Sequence, residues 1–518
     1  MRNILKAVIG PPLLLLLVTA TASKADIKLP AIFSDHMILQ QNTQVKLWGT
    51  ADAGENITIV ASWGEEKSVT ADGKGNWKTE IQTPAGSHVP QQIIFKGNNN
   101  VFLGNVLIGE VWLCSGQSNM AWSIKRSHNS YEETKNANYP SIRFFHIPRK
   151  LAWKPQNDVN AHWQPCSPES ISDQSALAYF FGRELRQELD VPIGLIVSAW
   201  GGSGAQAWID KETAGKEGLQ DIVDWYNTNE SKLQQYRYDF VKASAEWRSK
   251  QPEGAPIDWS TRPKRNLPGD QHMPFALYNG MIHPIKTYSM KGAIWYQGES
   301  NVSRAHQYRT LFPAMIKSWR NVWNQGNFPF YYVQIAPFHY SDYEGITSAE
   351  LRDAQLKTLD VTENTGMVVI TDIGDVNDIH PTKKQEVGRR LALLALHNDY
   401  KKIEGAYSSP FYKSHRVEGS KIIVSLDHAK ALKARGKDLI GFTIAGKNKV
   451  FVKADAKIIN GNQLEISSKQ VRRPVAVRFG WSNALVTNLF NEINLPVSPF
   501  KTDNWKDTTE GKIHLDFP

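Results

Sequence analysis

Four short polar clusters, each following an apolar run, hold the groups needed for attack by an activated hydroxyl. The first is Gly109-Glu110-Val111-Trp112-Leu113-Cys114-Ser115-Gly116-Gln117-Ser118-Asn119-Met120. A serine on a Gly-flanked turn after a buried strand is placed to act as a nucleophile. Glycine lets the chain turn sharply, and a following helix start offers free N–H donors. The cluster departs from the Gly-x-Ser-x-Gly elbow, because Met120 stands at the second glycine. The second cluster, Trp200-Gly201-Gly202-Ser203-Gly204, permits close backbone approach to a substrate oxygen and holds a rival serine, Ser203, which Ala205 removes from the elbow pattern. The third, Trp295-Tyr296-Gln297-Gly298-Glu299-Ser300-Asn301, packs two amides, an acid and a hydroxyl together. The fourth, Asp372-Ile373-Gly374-Asp375-Val376-Asn377-Asp378-Ile379-His380-Pro381, sets a histidine among acids before a helix. A serine needs a base to take its proton near neutral pH, and His380 can serve, a role worth about 10²–10⁴ in rate. An acid must hold the imidazole tautomer, and amide donors must meet the oxyanion that develops.

These clusters work together only if one scaffold gathers them. Apolar strands are expected at 106–115, 191–199, 292–296, 330–335 and 366–370, with helices at 175–189, 307–324 and 349–358 between them. Alternating strands and helices predict an α/β fold with a parallel sheet, whose reactive groups collect at the carboxyl ends of the strands. Residues 26–105 read as short alternating strands separated by Gly-rich turns, a small β-sandwich. Residues 211–275 read as a helical and then irregular, Pro-rich insertion within the 106–397 domain, and 398–518 returns to β.

Taken together, Gly109–Met120, Trp295–Asn301 and Ile379–Ala392 resemble the sialate O-acetylesterase family of SGNH (GDSL-like) hydrolases. The resemblance runs through most of the chain after residue 25. It implies a three-layer α/β/α SGNH hydrolase core with N-terminal and C-terminal β-sandwich-like domains, and a carbohydrate-acetyl esterase that needs no metal or other cofactor. It maps the nucleophile to Ser118, the base to His380, and an oxyanion-hole glycine to Gly201. Two positions depart from the wider pattern. The acid three residues before the histidine is replaced by Asn377, so Asp378 is the expected orienting acid, with Asp375, Glu299 and Asn377 as alternatives. The Gly-x-Asn-Asp block becomes Gly298-Glu299-Ser300-Asn301, so the oxyanion amide is Asn301 or Gln297. The substrate is then an acetylated sugar or glycan, most simply an O-acetylated sialic acid. The other readings are an acetyl esterase for xylan or xyloglucan, and a non-catalytic carbohydrate-binding protein.

Composition narrows the class. With 41% hydrophobic and 21% charged residues the chain is neither disordered nor fibrous. Two cysteines, Cys114 and Cys166, exclude a disulfide-dense scaffold and read as buried thiols rather than one bridge. The other histidines show no metal-binding spacing. Arg2 and Lys6, the apolar run around Leu13–Val18 and the small residues at Ala22 and Ala25 form an export signal, so the protein is expected in the periplasm or outside the cell. No later stretch is apolar for long enough to span a membrane. The formal charge of +9 includes Arg2, Lys6 and Lys24, which leaves +6 from Asp26 onward. The last 118 residues hold 20 basic and 11 acidic side chains. These are dispersed, which reads as a solvated β surface rather than a nucleic-acid site.

Overall fold

The computed structural model describes residues 26–251, 258–264 and 269–513. The expected export signal lies outside them. A seven-stranded path forms the central sheet: β1 (Asn100–Gly116), β2 (Tyr139–His146), β3 (Trp163–Cys166), β4 (Ile193–Ala199), β5 (Gly292–Tyr296), β6 (Phe330–Val333) and β7 (Thr365–Val368), in the order β7-β6-β5-β1-β4-β2-β3. Every pair is parallel except the edge pair β2–β3.

The central strands read as continuous apolar runs because both faces are covered. In β1 and β5, Leu113 and Trp295 face one core with Leu311, Met315 and Trp319 of helix α3 (Ala305–Trp323). Their neighbours Cys114 and Ile294 face the other core, with Leu185 of α1 (Ala176–Leu189) and Leu391 of α5 (Lys384–Asn398). The strand period of two thus separates two cores on opposite faces of one sheet. Ser175 caps α1 by accepting from the Ala178 N–H at 3.1 Å. Trp112, Trp163, Trp208, Trp295, Trp319 and Trp323 are all fully buried packing residues. Truncating any of them to alanine costs about 3–5 kcal/mol. Both cysteines are buried free thiols, and burial pushes Cys166 up to about 12.

β1 continues past the central sheet. Its first half pairs with Ser87–Lys96 and Ile38–Gln40 of the N-terminal β region, and its second half lies between β4 and β5. One strand therefore runs from the N-terminal β layer to the Ser118 turn. In the insertion, helices Lys211–Lys216 and α2 (Gln220–Ser249) lead to short 3-10 turns at Trp259–Thr261 and Asp270–His272. After α5, two four-stranded sheets enclose a core that includes Ile422, Leu464, Val477 and Phe500.

The C-terminal segment is pinned to the α/β core by buried charges. Glu350, on α4 (Thr347–Val361), accepts the backbone N–H and hydroxyl of both Thr508 and Thr509. Asp507 takes Lys501 at 2.6 Å and Arg309 at 2.8 Å, and Arg309 also meets Asp353 at 2.6 Å. No helix among the described residues is long and apolar enough to cross a membrane.

Candidate active site

β1 ends at Gly116, where φ is +140°, and a side chain there would collide with the Tyr296 carbonyl of β5. Only glycine fits a turn held that close to the neighbouring strand. The turn delivers Ser118 to the first position of a short helix, Ser118–Ala121, partly open to solvent. The loop after β7 brings His380 to it. The imidazole Nε2 lies 2.8 Å from Ser118 Oγ, across 262 residues of sequence. With its proton on Nδ1, the neutral ring accepts the serine O–H.

Gly201 lies directly against Ser118. A Cβ on Gly201 would sit 3.3 Å from the Ser118 Cβ. No acceptor among the described residues takes the backbone N–H of Ser118 or of Gly201. Two unspent donors beside a serine hydroxyl are the minimum an oxyanion needs.

The expected acid is present but loosely placed. Asp378 Oδ1 is 3.6 Å from His380 Nδ1, within Coulomb range but too long for a hydrogen bond, and its nearer partner is the His380 backbone N–H at 2.9 Å. Its side chain is 53% exposed, so solvent screens it. Among the alternatives, Asp375 accepts the Asn377 N–H at 2.9 Å within the same turn, and Asn377 is exposed. Glu299 is turned toward Asn119 rather than the imidazole.

The two candidate oxyanion amides are embedded in a buried network. Gln297 donates to the Ser203 carbonyl at 3.0 Å and to Asn301 Oδ1 at 2.7 Å. Both of its amide hydrogens are committed, so the expectation of Gln297 as an oxyanion donor is corrected. It holds Asn301 in place instead. Asn301 accepts the Ala205 N–H at 2.9 Å and spends one hydrogen on Gln206 at 3.2 Å, which leaves the other for a further group. Asn301 therefore anchors the loop that carries Gly201. Ser203 is buried and takes the Trp208 indole N–H at 2.9 Å, so the rival serine is a packing residue.

Three neighbours of the dyad carry no assigned role in the sequence reading. Trp122 stacks on His380 with ring centroids 4.7 Å apart, and Arg126 lies 4.1 Å from the Trp122 centroid. Lys384, the first residue of α5, is fully buried and donates to Asn119 Oδ1 at 2.6 Å. Asn119 in turn donates to Glu299 Oε1 at 2.7 Å and to the Ile379 carbonyl at 3.0 Å. Burial is the main reason the Lys384 ammonium is pulled down to about 7, and Arg126 adds to it against the opposing charges of Glu299 and Asp378. Burial pushes the Glu299 carboxyl up. For His380, burial and then the Lys384 charge pull the imidazole below its usual value, against the pull of Asp378. The ring is therefore neutral, the form a general base requires, at neutral pH. The available signal for Lys384 was its position four residues after His380. In sequence it reads as an ordinary solvated lysine at a helix start.

Among the described residues no group of three or more His, Cys, Asp or Glu side chains is arranged to hold a metal ion. The family model for carbohydrate esterases described as sialic acid-specific acetylesterases matches residues 108–235 and 254–397, just over half of the chain. A carbohydrate acetylesterase from Xanthomonas citri is 34% identical, superposes with a TM-score of 0.79, and is aligned over 92% of this chain and 100% of its own. The sialate O-acetylesterase of Mus musculus is 26% identical over 85% of this chain and 85% of its own length. That of Homo sapiens is 27% identical over 83% and 82%.

Proposed function

The chain belongs to the sialic acid-specific acetylesterase family of carbohydrate esterases, and from that premise we propose that it removes O-acetyl groups from sialic acid through an acetyl-serine formed on Ser118. The observation that carries the mechanism is the 2.8 Å contact between Ser118 Oγ and His380 Nε2, beside two unspent N–H donors.

In the first half-reaction Ser118 Oγ attacks the acetyl carbonyl carbon as its proton passes to His380 Nε2. The carbonyl oxygen becomes an oxyanion between the N–H groups of Ser118 and Gly201, with the remaining Asn301 hydrogen as a third donor. The tetrahedral species collapses by breaking the bond to the sugar oxygen, which leaves with the proton from His380. In the second half-reaction His380 takes a proton from water, and the hydroxide attacks the acetyl-serine. Collapse then releases acetate and returns the proton to Ser118 Oγ. Asp378 supports the transient imidazolium through space.

The Arg126 guanidinium, held over Trp122 beside the imidazole, supports an acidic sugar, because it offers a fixed cation to the sialic acid carboxylate. Ser118→Ala is expected to abolish acetate release from acetylated sialic acid and from an aryl acetate, with its melting curve unchanged. Retained turnover in a clean preparation would remove Ser118 from the role. Acetylated xylan and xyloglucan, assayed in parallel, separate the sialate reading from a plant-polysaccharide one. Export is part of the same proposal, and the amino terminus of secreted protein, expected after Ala22 or Ala25, tests it.

A further inference from the structure

The Ser118–His380 pair lies between an outer, solvent-facing side and an inner, buried side, and the inner side is built from three of the four strand-end segments. Asn119 follows the nucleophile, Glu299 belongs to the segment after β5, and Ile379 and Lys384 flank the base. Three hydrogen bonds meet on the Asn119 carboxamide: Lys384 Nζ donates to its oxygen, and its nitrogen donates to Glu299 and to the Ile379 carbonyl. Asn119, Glu299 and Lys384 are all buried. The assembly is also incomplete in a directed way. Glu299 Oε2 and the hydroxyls of Tyr296 and Tyr340 are buried without a partner among the described residues. No carboxylate among the described residues touches the Lys384 ammonium directly, because the Asn119 amide stands between it and Glu299.

We propose that Asn119, Lys384 and Glu299 are positioning residues for the esterase reaction: the Asn119 carboxamide locks the Ser118 turn to the His380 loop, and the Lys384 ammonium keeps the imidazole in its proton-accepting form. The inference rests on the reading of Ser118 and His380 as nucleophile and base. The amide fixes distance. Asn119 is covalently next to Ser118 and bonds the carbonyl next to His380, so one side chain holds the two halves of the dyad in register. The ammonium fixes charge state. The Lys384 Nζ lies 5.9 Å from the centroid of the Trp122 ring that stacks on His380, and a cation that near an imidazole disfavours its protonation. An ammonium paired directly with a carboxylate would present a much weaker net field. The groups facing the imidazole and the ammonium are Arg126, Asp378 and Glu299, and those facing Glu299 are Lys384, Tyr296, Tyr308 and Tyr340. Of these, Arg126 acts in the same direction as Lys384, and Asp378 opposes both.

Two variants test the two halves. Lys384→Met keeps the length of the side chain and removes its charge. It is expected to move the acid limb of the kcat/KM profile upward by about 1 pH unit, since a nearby like charge shifts a titration by that order. Asn119→Leu is expected to lower kcat by about 10²-fold with KM within twofold, the cost of misplacing reacting groups by around an ångström. The rate at which a serine-reactive phosphonate labels each protein is followed over the same pH range, because it reports the Ser118–His380 pair without sugar binding. A Lys384→Met limb that coincides with the wild type in both assays overturns the charge assignment. An Asn119→Leu loss that tracks only the folded fraction overturns the positional one. Either failure leaves Ser118→Ala inactive, whereas an active Ser118→Ala protein would defeat the underlying reading instead.

Discussion

Two buried networks of the molecule have nearly the same ingredients, one beside Ser118 and one where the C-terminal segment meets the α/β core. In the second, Lys501 Nζ touches Asp507 at 2.6 Å, and Arg309 bridges Asp507 and Asp353. Burial alone would raise the Asp507 carboxyl. Hydrogen bonds from Lys501 and His306 and the Arg309 charge outweigh it and hold the group below its usual range. In the first, Lys384 reaches its carboxylate only through the Asn119 amide, and burial wins: the ammonium falls to about 7 and Glu299 rises. Direct contact with both Lys501 and Arg309 makes Asp507 a clasp, whereas Asp353, which touches Arg309, is still raised by burial. An interposed amide leaves charge and proton affinity available beside Ser118 and His380.

The sharpest way to break this comparison is to remove the clasp. Asp507→Ala leaves the buried Lys501 ammonium without its carboxylate, while Arg309 keeps Asp353, and is expected to cost about 3–5 kcal/mol in urea unfolding. The kcat of the protein that remains folded should match the wild type, because no residue of the dyad touches Asp507. A matching loss of kcat would mean that the two networks are coupled.

The pH dependence of stability sharpens it further. In the unfolded chain the Lys384 ammonium titrates near the ordinary lysine value of 10.5, and in the folded protein near 7. Between these values the unfolded state binds more protons, so stability rises with pH across that window, by at most about 1.4 kcal/mol per pH unit. Below about 7 the full cost of burying the cation is present, and above 10.5 the group is neutral in both states. Lys384→Met should lose this slope. Parallel stability curves for wild type and variant between pH 7 and 10 would contradict the unneutralised lysine.

The smallest expected effect is on the outer side of the dyad. An orienting aspartate buried against its histidine is worth about 10⁴ in kcat. Asp378 is half exposed and 3.6 Å from Nδ1, so Asp378→Asn should lower kcat by only about tenfold. A loss near 10⁴ would show that this carboxylate closes onto the ring when substrate binds.

Ser118 and His380 were legible because their local contexts carry physical meaning on their own: an apolar strand, a glycine turn and a polar cluster at each site. Parallel α/β topology then obliges such strand ends to share one edge of the sheet. Helix α1 was legible for a similar reason, since its apolar spacing and the Ser175 cap are both local. The role of Gln297 was not, because its two amide hydrogens find the Ser203 carbonyl, 94 residues away, and Asn301. Residue type shows that an amide can donate, but only packing decides to what. Lys384 escaped for the same reason. Its burial depends on Asn119, 265 positions earlier, and no pattern local to the lysine encodes that contact.

Peptide mapping by mass spectrometry after treatment with a serine-reactive phosphonate tests the central claim most directly, because it reads the nucleophile itself. One adduct is expected, on Ser118, formed in step with loss of esterase activity and strongly slowed by His380→Ala. An adduct on Ser203, or full inactivation with Ser118 unmodified, would contradict it.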